Sequence, residues 1–186
     1  MANIDNPTRF LPVQDITGAP WCGKANEYTV LAADGVAMFP GDAVKMTGIS
    51  DTSGVPVCAR CDAADVPIGI VIGFKLNRDY EGQIYRTGDT LRTALVVDDP
   101  FVYFEIQTSA TNAVEDFGYN ADYIATAGST VTGLSLMELD QTTVANTASL
   151  PLRIIRLMPR ENNAVGEFAK LLCKFNRHQL LETTGV

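Results

Sequence analysis

Histidine is almost absent from this chain, and its scarcity limits the chemistry available. His178 is the only histidine, so any triad that depends on histidine would have to use it. Its neighbours Arg177 and Gln179 do not suggest a base held against a nucleophile, and we expect a surface or structural imidazole. The G-x-S-x-G elbow, the phosphate-binding loop and the dinucleotide fingerprint are missing as well. The sequence therefore predicts a protein that is not an enzyme and uses no cofactor.

Cysteines are few, and their spacing is incomplete for a metal or redox site. Cys58 and Cys61 have the C-x-x-C spacing of half a zinc site or of a redox motif. A zinc ribbon needs a second close pair, whereas Cys22 and Cys173 lie far apart in the sequence. No helix start supports a thioredoxin-like role. We expect structural thiols that behave as small hydrophobic residues, and no metal.

Positive charge and long hydrophobic runs are also in short supply. The chain has 14 Lys and Arg against 22 Asp and Glu, for a formal net charge of −8. Such a surface repels phosphate, and no basic block with interleaved aromatics occurs, so we expect no direct nucleic-acid binding. No run approaches the roughly 18 apolar residues of a membrane helix. The opening MANIDNPTRFLPV does not resemble a signal peptide. We expect synthesis in the cytoplasm and no membrane partner.

Short β-branched and aromatic runs separated by turns are what the sequence does contain. The clearest covers residues 95–107 (LVVDDPFVYFEIQ). Val102, Phe104 and Ile106 alternate with residues of the opposite face, which is the period-2 signature of a strand with one buried face. Residues 98–100 (DDP) predict a turn, because proline cannot donate to a ladder. Their two carboxylates are expected to shape this turn rather than to form a catalytic pair.

Similar runs predict strands along most of the chain, at residues 27–33, 36–39, 43–47, 55–61, 66–76 and 150–158. The pair Asp34-Gly35 indicates a hairpin between the first two. Glycines leave one face of 66–76 nearly bare, which suggests close approach by another backbone or a bend at a barrel corner. Residues 168–179 fit an amphipathic helix or a strand, and we favour a strand. The polar stretches 48–54, 77–90 and 142–149 predict loops, and 113–117 a helical turn.

These elements predict a mainly β protein, with a single compact β-barrel or β-sandwich-like domain over residues 14–179, long loops and few short helices. Pro7 and Pro12 favour an extended N-terminal arm over residues 1–13. The arm is either disordered alone or laid across a neighbour, and the alternative is a first edge strand. Residues 180–186 are expected to form a C-terminal tail that frays or reaches a neighbour.

Arginine and aromatic side chains are the candidates for contact with a partner. The loop 77–90 is long for a hairpin, and long loops in compact domains often serve binding. Trp21 is either a core anchor or an interface residue, and the core is favoured. The full candidate set is Arg9, Phe10, Trp21, Arg78, Tyr80, Tyr85, Arg86, Phe101 and Tyr103.

Several segments, in their order along the chain, resemble a family of tailed-bacteriophage head decoration, or cement, proteins. The resemblance runs from the opening MAN…RFLPV to FNRHQ near the C-terminus. The segments that carry it are 18–21 (GAPW), 41–44 (GDAV), 67–74 (PIGIVIGF), 98–107 (DDPFVYFEIQ), 120–122 (NAD), 127–139 (AGSTVTGLSLMEL) and 152–157 (LRIIRL). None is a catalytic signature, so their order and extent carry the resemblance.

The resemblance implies a β-rich homo-oligomer, often a trimer, on the outside of the capsid. There it would bridge neighbouring subunits of the major capsid protein and resist internal DNA pressure. Many weak contacts repeated over a shell give strength through multivalency. The N-terminal arm could add a strand or lie in a groove between capsomers, binding through backbone hydrogen bonds with Phe10 as its anchor. One alternative is another virion component, a head–tail joining or tail protein. A third class is a small-ligand-binding β-barrel or a hydrolase.

Overall fold

The protein is mainly β and has two sheets, which confirms the predicted fold class. The structure is a computed structural model that describes residues 3–7 and 9–186. The strands are β1 (Leu11–Asp15), β2 (Asn26–Val30), β3 (Ala43–Ser50), β4 (Pro56–Arg60), β5 (Gly69–Phe74), β6 (Arg92–Val97), β7 (Val102–Gln107), β8 (Asn120–Ile124), β9 (Glu138–Ala145), β10 (Leu152–Leu157) and β11 (Lys170–Phe175). Single-turn 3₁₀ helices cover Arg78–Tyr80 and Val114–Asp116, and the second confirms the predicted helical turn.

The first sheet closes into a barrel in the order β2-β4-β3-β5-β6. β2 runs antiparallel to β6 along its whole length, and a parallel pairing of Thr29 with Val57 joins β2 to β4 and closes the ring. Closure removes the free edges of the sheet. The barrel core consists of Tyr28, Val30, Met38, Val44, Cys58, Ile68, Val71, Ala94 and Val96.

The second sheet has six strands in the order β1-β7-β11-β10-β8-β9. The sheet is strongly curled. Thr108, just after β7, forms an isolated bridge with Leu139 of β9, the strand at the opposite edge of the sheet from β1. The curl encloses a larger core that contains Phe104, Ile106, Ala121, Tyr123, Leu139, Leu152, Ile154, Leu171 and Phe175. Ala43, Cys61, Ile70 and Val97 belong to barrel strands or their ends and are buried in this same core, so the two sheets pack against each other.

The turn at residues 98–100 joins the two sheets and confirms the prediction made for it. Asp99 accepts hydrogen bonds from the backbone N–H of Phe101, through Oδ1 at 2.9 Å, and of Val102, through its carbonyl at 3.2 Å. Asp98 accepts from the Tyr28 hydroxyl at 2.9 Å. The predicted inward face of β7 is buried in the core as well. Asp15 of β1 pairs with Val102 of β7, so the barrel lies in sequence between two neighbouring strands of the second sheet.

The predicted hairpin at Asp34-Gly35 is wrong. β2 pairs with β6 and β4, and residues 36–39 form no strand beyond an isolated bridge between Met38 and Arg86. The loops predicted at 48–54 and 142–149 are also too long, because β3 extends to Ser50 and β9 to Ala145. Residues 47–50 are exposed, and an exposed strand end tolerates the polar residues that suggested a loop.

The strand favoured for residues 168–179 is confirmed as β11, which pairs with β10 and β7. Close backbone approach at residues 66–76 is confirmed at Gly69, where an added Cβ would collide with the carbonyl oxygen of Val97. Residues 180–186 are exposed, and Glu182 is paired with Arg177. No helix in the described part of the chain is long and apolar enough to cross a membrane.

The described residues of the N-terminal segment are bonded to the rest of the chain, which corrects the prediction of an extended arm over residues 1–13 that is disordered alone or laid across a neighbour. Leu11–Asp15 is an edge strand, so the alternative interpretation is confirmed for these residues. Before it, the Asn3 amide donates to the carbonyls of Ala164 and Glu167, each at 2.8 Å. Gln107 donates to the carbonyl of Ile4 at 3.0 Å. Residues 1, 2 and 8 of the predicted arm lie outside the described residues.

Candidate interaction surfaces

Phe10, the predicted anchor for a partner, is wrong as an accessible interface residue. Its side chain is 1% exposed. Its ring centroid lies 6.3 Å from that of Phe104, 5.9 Å from that of Tyr123 and 6.0 Å from that of Phe175. These are separations at which aromatic pairs attract beyond their buried area. Phe10 therefore anchors the N-terminal segment to the protein's own core.

Arg86 is also wrong as an interface residue, because it is 0% exposed. Its Nη2 donates to the carbonyls of Leu31 at 2.8 Å and Asp34 at 2.6 Å. Nη1 donates to Val36 at 2.6 Å, and Nε to Thr90 at 2.7 Å. Burial lowers the pKa of this guanidinium. Arg86 thus holds two loops together by satisfying carbonyl groups that no strand uses.

Tyr85 lies beside Arg86 and is half-buried. Its ring stacks on that of Phe39, with centroids 4.6 Å apart and planes 13° from parallel. Phe39 also lies against Gly128, where an added Cβ would collide with the Phe39 ring. Tyr85 therefore uses one face of its ring internally and presents only part of the side chain to a partner.

Arg9 and Trp21 are brought together in a groove where the barrel meets the six-stranded sheet, which we call the seam groove. It has a volume of about 380 Å³. Its lining is mainly apolar and includes Leu11, Pro12, Trp21, Ile72, Ile84 and Leu134, with Arg9 at one side. Trp21 is half-buried and packs against the core, as the favoured core interpretation expected. Ile84 is 59% exposed, so the groove presents apolar surface to solvent.

Phe101 and Tyr103 lie together at the start of β7, on the face opposite to Val102. Phe101 is 48% exposed, whereas Tyr103 is half-buried beside its strand partner Gln14. Farther along this face, Glu105 is buried and paired with Arg160, with 2.5 Å between Oε2 and Nη2. Only the first part of this face is therefore available to a partner.

Arg78 lies at one end of the barrel, in a surface that we call the barrel tip: Lys75, Leu76, Asn77, Arg78, Leu91, Arg92 and Thr93. These residues line a groove of about 350 Å³. Tyr80 lies beside this surface, with its ring centroid 5.5 Å from the guanidinium carbon of Arg92. Leu76 is 93% exposed and Leu91 is 54% exposed. The sequence interpretation missed both leucines and Arg92. The available signal was an isolated leucine at each end of the polar loop 77–90.

The C-x-x-C cysteines do not share a site. Cys58 is buried in the barrel core, and Cys61 is buried in the core of the six-stranded sheet. Burial raises the pKa of each thiol to about 12, so neither forms a thiolate near neutral pH. Within residues 3–7 and 9–186, no three His, Cys, Asp or Glu side chains are grouped closely enough to hold a metal ion.

His178 is a structural imidazole, which is one of the two roles expected for it. It is 1% exposed, and its Nδ1 accepts the backbone N–H of Leu180 at 3.2 Å. Its ring centroid lies 6.0 Å from that of Phe175. Burial lowers the pKa of His178, and the neutral ring that results is the form able to accept at Nδ1.

Comparison with known proteins assigns the chain to no family: no family model, no curated protein and no solved structure matches it. The two grooves and the exposed end of β7 are therefore the basis for the proposal of function.

Proposed function

We propose that the chain is a virion structural protein that decorates the capsid of a tailed bacteriophage. It binds the outer surface of the major capsid protein shell and stabilises that shell against internal DNA pressure. It acts without catalysis or a cofactor, and as a homo-oligomer, most simply a trimer. It is made in the host cytoplasm and resides on the capsid exterior.

The seam groove is the observation that carries this proposal. It exposes apolar side chains of two structural units, Leu11 and Pro12 of β1 with Ile72 of the barrel, at the line where the units meet. Apolar surface of this kind, with an aromatic and an arginine beside it, is typical of the buried centre of protein interfaces. We assign the groove to a segment of the major capsid protein.

The shape of the fold suits a repeated, non-covalent contact. The barrel has no free sheet edges, and β1, at an edge of the other sheet, carries Pro12. Residues 15–21 fold back on β1: the backbone N–H of Trp21 donates to the carbonyl of Val13 at 2.9 Å. Protected edges oppose uncontrolled strand pairing between copies. Side-chain surfaces rather than the edges of the barrel or of β1 are therefore favoured for assembly, and weak contacts gain strength when many copies bind one shell.

The proposal is tested by mixing purified protein with empty heads assembled from the cognate major capsid protein. Electron microscopy is expected to show density over the whole shell. Density at one vertex would instead indicate a head–tail joining protein. Absence of density would contradict the proposal.

Matched variants locate the contact. Ile84→Glu places a carboxylate in the seam groove. Binding to heads should weaken at least about tenfold, because the bound capsid segment would bury this unpaired charge away from water. Val114→Glu is the control, since Val114 is 65% exposed and lies outside the groove. Equal binding by the two variants would contradict the assignment of the groove.

A further inference from the structure

Arg92 is a buried cation at the floor of the barrel tip. It is 4% exposed and lines the groove between Leu76 and Leu91. Its guanidinium carbon lies 5.3 Å from the ring centroid of Phe74 and 5.5 Å from that of Tyr80. Aromatic rings at these distances attract a cation and hold it in a fixed position.

The guanidinium of Arg92 has unused hydrogen-bond donors. Nη2 donates to the carbonyl of Lys75 across a long 3.4 Å. Nε and Nη1 are buried and have no partner among the described residues. The contrast is Arg86, the other deeply buried arginine described above, in which every guanidinium nitrogen is bonded to a carbonyl. Buried donors are nearly always satisfied in folded proteins, and Arg92 lines a groove through which an acceptor from outside the chain can approach it.

The charges around the groove also favour an anion. Burial lowers the pKa of Arg92, and the Tyr80 phenol raises it. No carboxylate contributes to this pKa shift, so the charge of Arg92 is not balanced by an acidic side chain of the described residues. Lys75 and Arg78 line the same groove. Lys75 is paired with Glu27, but the two side chains are 54% and 45% exposed, so water screens that pair. The groove lining therefore contains three cationic side chains and no carboxylate, on a chain of net charge −8, while Glu27 and Asp79 lie next to this lining.

The leucines beside the guanidinium narrow the choice of anion. Leu76 is among the most exposed large hydrophobic side chains in the described part of the chain, and Leu91 is more than half exposed. A free inorganic ion would leave both in water, whereas a polypeptide can cover them with an apolar side chain next to its acidic residue.

We propose that the barrel tip binds an acidic side chain of a partner polypeptide, whose carboxylate pairs with Arg92 while an adjacent apolar residue covers Leu76 and Leu91. The planar guanidinium matches the geometry of a carboxylate, and its fixed position lowers the entropy lost on binding. The assignment rests on the surroundings of Arg92 and does not require that the partner be a capsid protein.

The test is a titration of the ¹⁵N-labelled protein followed at the Nε–H resonance of Arg92. The probe is the capped peptide acetyl-Leu-Asp-Leu-amide, and the matched controls are acetyl-Leu-Asn-Leu-amide and inorganic phosphate. The aspartate peptide should shift the resonance saturably and bind at least about tenfold more tightly than either control, because only it combines charge with apolar contact. Equal binding of the asparagine peptide, tighter binding of phosphate, or no saturable shift would overturn the proposal.

Variants separate the two parts of the site. Arg92→Lys keeps the charge but loses the planar donor set, and should weaken the aspartate peptide about tenfold or more. Because this change also alters the packing of Phe74 and Tyr80, Leu91→Ser provides a second variant that leaves the guanidinium in place. It too should weaken binding, whereas Leu181→Ser, at a leucine 59% exposed elsewhere on the surface, should not. Identical affinities for the two serine variants would overturn the apolar half of the site.

Discussion

Arg60 and Asp42 form a buried ion pair at the junction of the two sheets, with 3.2 Å between Nε and Oδ2. The side chains are 9% and 0% exposed. The same carboxylate oxygen accepts the backbone N–H of Phe39 at 2.8 Å. Nη2 of Arg60 donates to the carbonyls of Ala125, at 3.0 Å, and Thr126. One charged pair therefore fastens the barrel to the segment that follows β8.

Arg60→Met should lower the free energy of unfolding by about 3 kcal/mol, because it leaves the Asp42 carboxylate buried without its cation. Burial already raises the pKa of Asp42 against the influence of Arg60. The double variant Arg60→Met with Asp42→Asn should therefore be more stable than Arg60→Met alone. Urea denaturation measures both. Lys75→Met, at an exposed pair, is the control and should change stability by less than about 1 kcal/mol. Equal losses for the single and double variants would contradict the expectation.

Arg86→Met should destabilise the protein by about 3 kcal/mol, because it removes a buried side chain and strips four partly buried carbonyls of their donor. Hydrogen exchange should rise first in residues 31–36 and 86–90, which this side chain joins. Arg78→Met is the matched control at an exposed arginine and should stay within about 0.5 kcal/mol of the parent. If both variants changed the free energy of unfolding by a similarly small amount, the hydrogen bonds of Arg86 would not be what holds these loops together.

Phe10→Ala should cost about 3–5 kcal/mol, the usual range for deleting a buried aromatic ring. Ile4→Ala, in the same N-terminal segment but at a side chain 78% exposed, should have little effect. Thermal or urea unfolding of the isolated protein is sufficient for the comparison. Should Phe10→Ala leave stability unchanged, the intramolecular anchoring of the segment would be refuted.

Stability should fall as pH drops from about 7 to about 5.5, and His178 should account for part of that fall. Its pKa is lowered by burial from the ordinary value of 6.5, against weaker opposing effects of Asp98 and Asp99. The unfolded chain then binds a proton that the folded protein does not, so the contribution is fully present above 6.5 and is lost as pH decreases toward the folded pKa.

The pH experiment compares the parent protein with His178→Asn, whose side-chain oxygen can still accept the Leu180 N–H but does not titrate. Urea midpoints between pH 5.5 and 7 should fall for the parent and change less for the variant. Parallel curves for the two proteins would exclude His178 as the titrating group.

Local patterns in the sequence were sufficient to predict the strands that have one buried face. Val102, Phe104 and Ile106 alternate because only one face of β7 enters the core there, and Gly69 is bare because the backbone at Val97 approaches it. The polar ends of β3 and β9 could not be predicted in this way, since their side chains contribute little to a core.

The candidate surfaces were harder to predict, because exposure depends on contacts between distant residues. Arg86 is an arginine in a polar loop, which is typical of a surface, and its acceptors at residues 31, 34 and 36 are some fifty positions away. Phe10 follows a proline-containing segment, yet its neighbours come from three other strands. Leu76 and Leu91 needed the hairpin geometry of β5 and β6 to be placed side by side.

The pairing of Asp15 with Val102 makes the barrel an insertion in topological terms. A tight turn between these two residues would join β1 and β7 into an ordinary hairpin and omit the barrel, without changing the strand order of the remaining sheet. The six-stranded sheet nevertheless depends on the barrel for stability, because Ala43, Cys61 and Ile70 of the barrel region fill part of the larger core. Without the barrel, the core of the six-stranded sheet would lack these side chains and be exposed to water. The protein should therefore unfold in one cooperative transition.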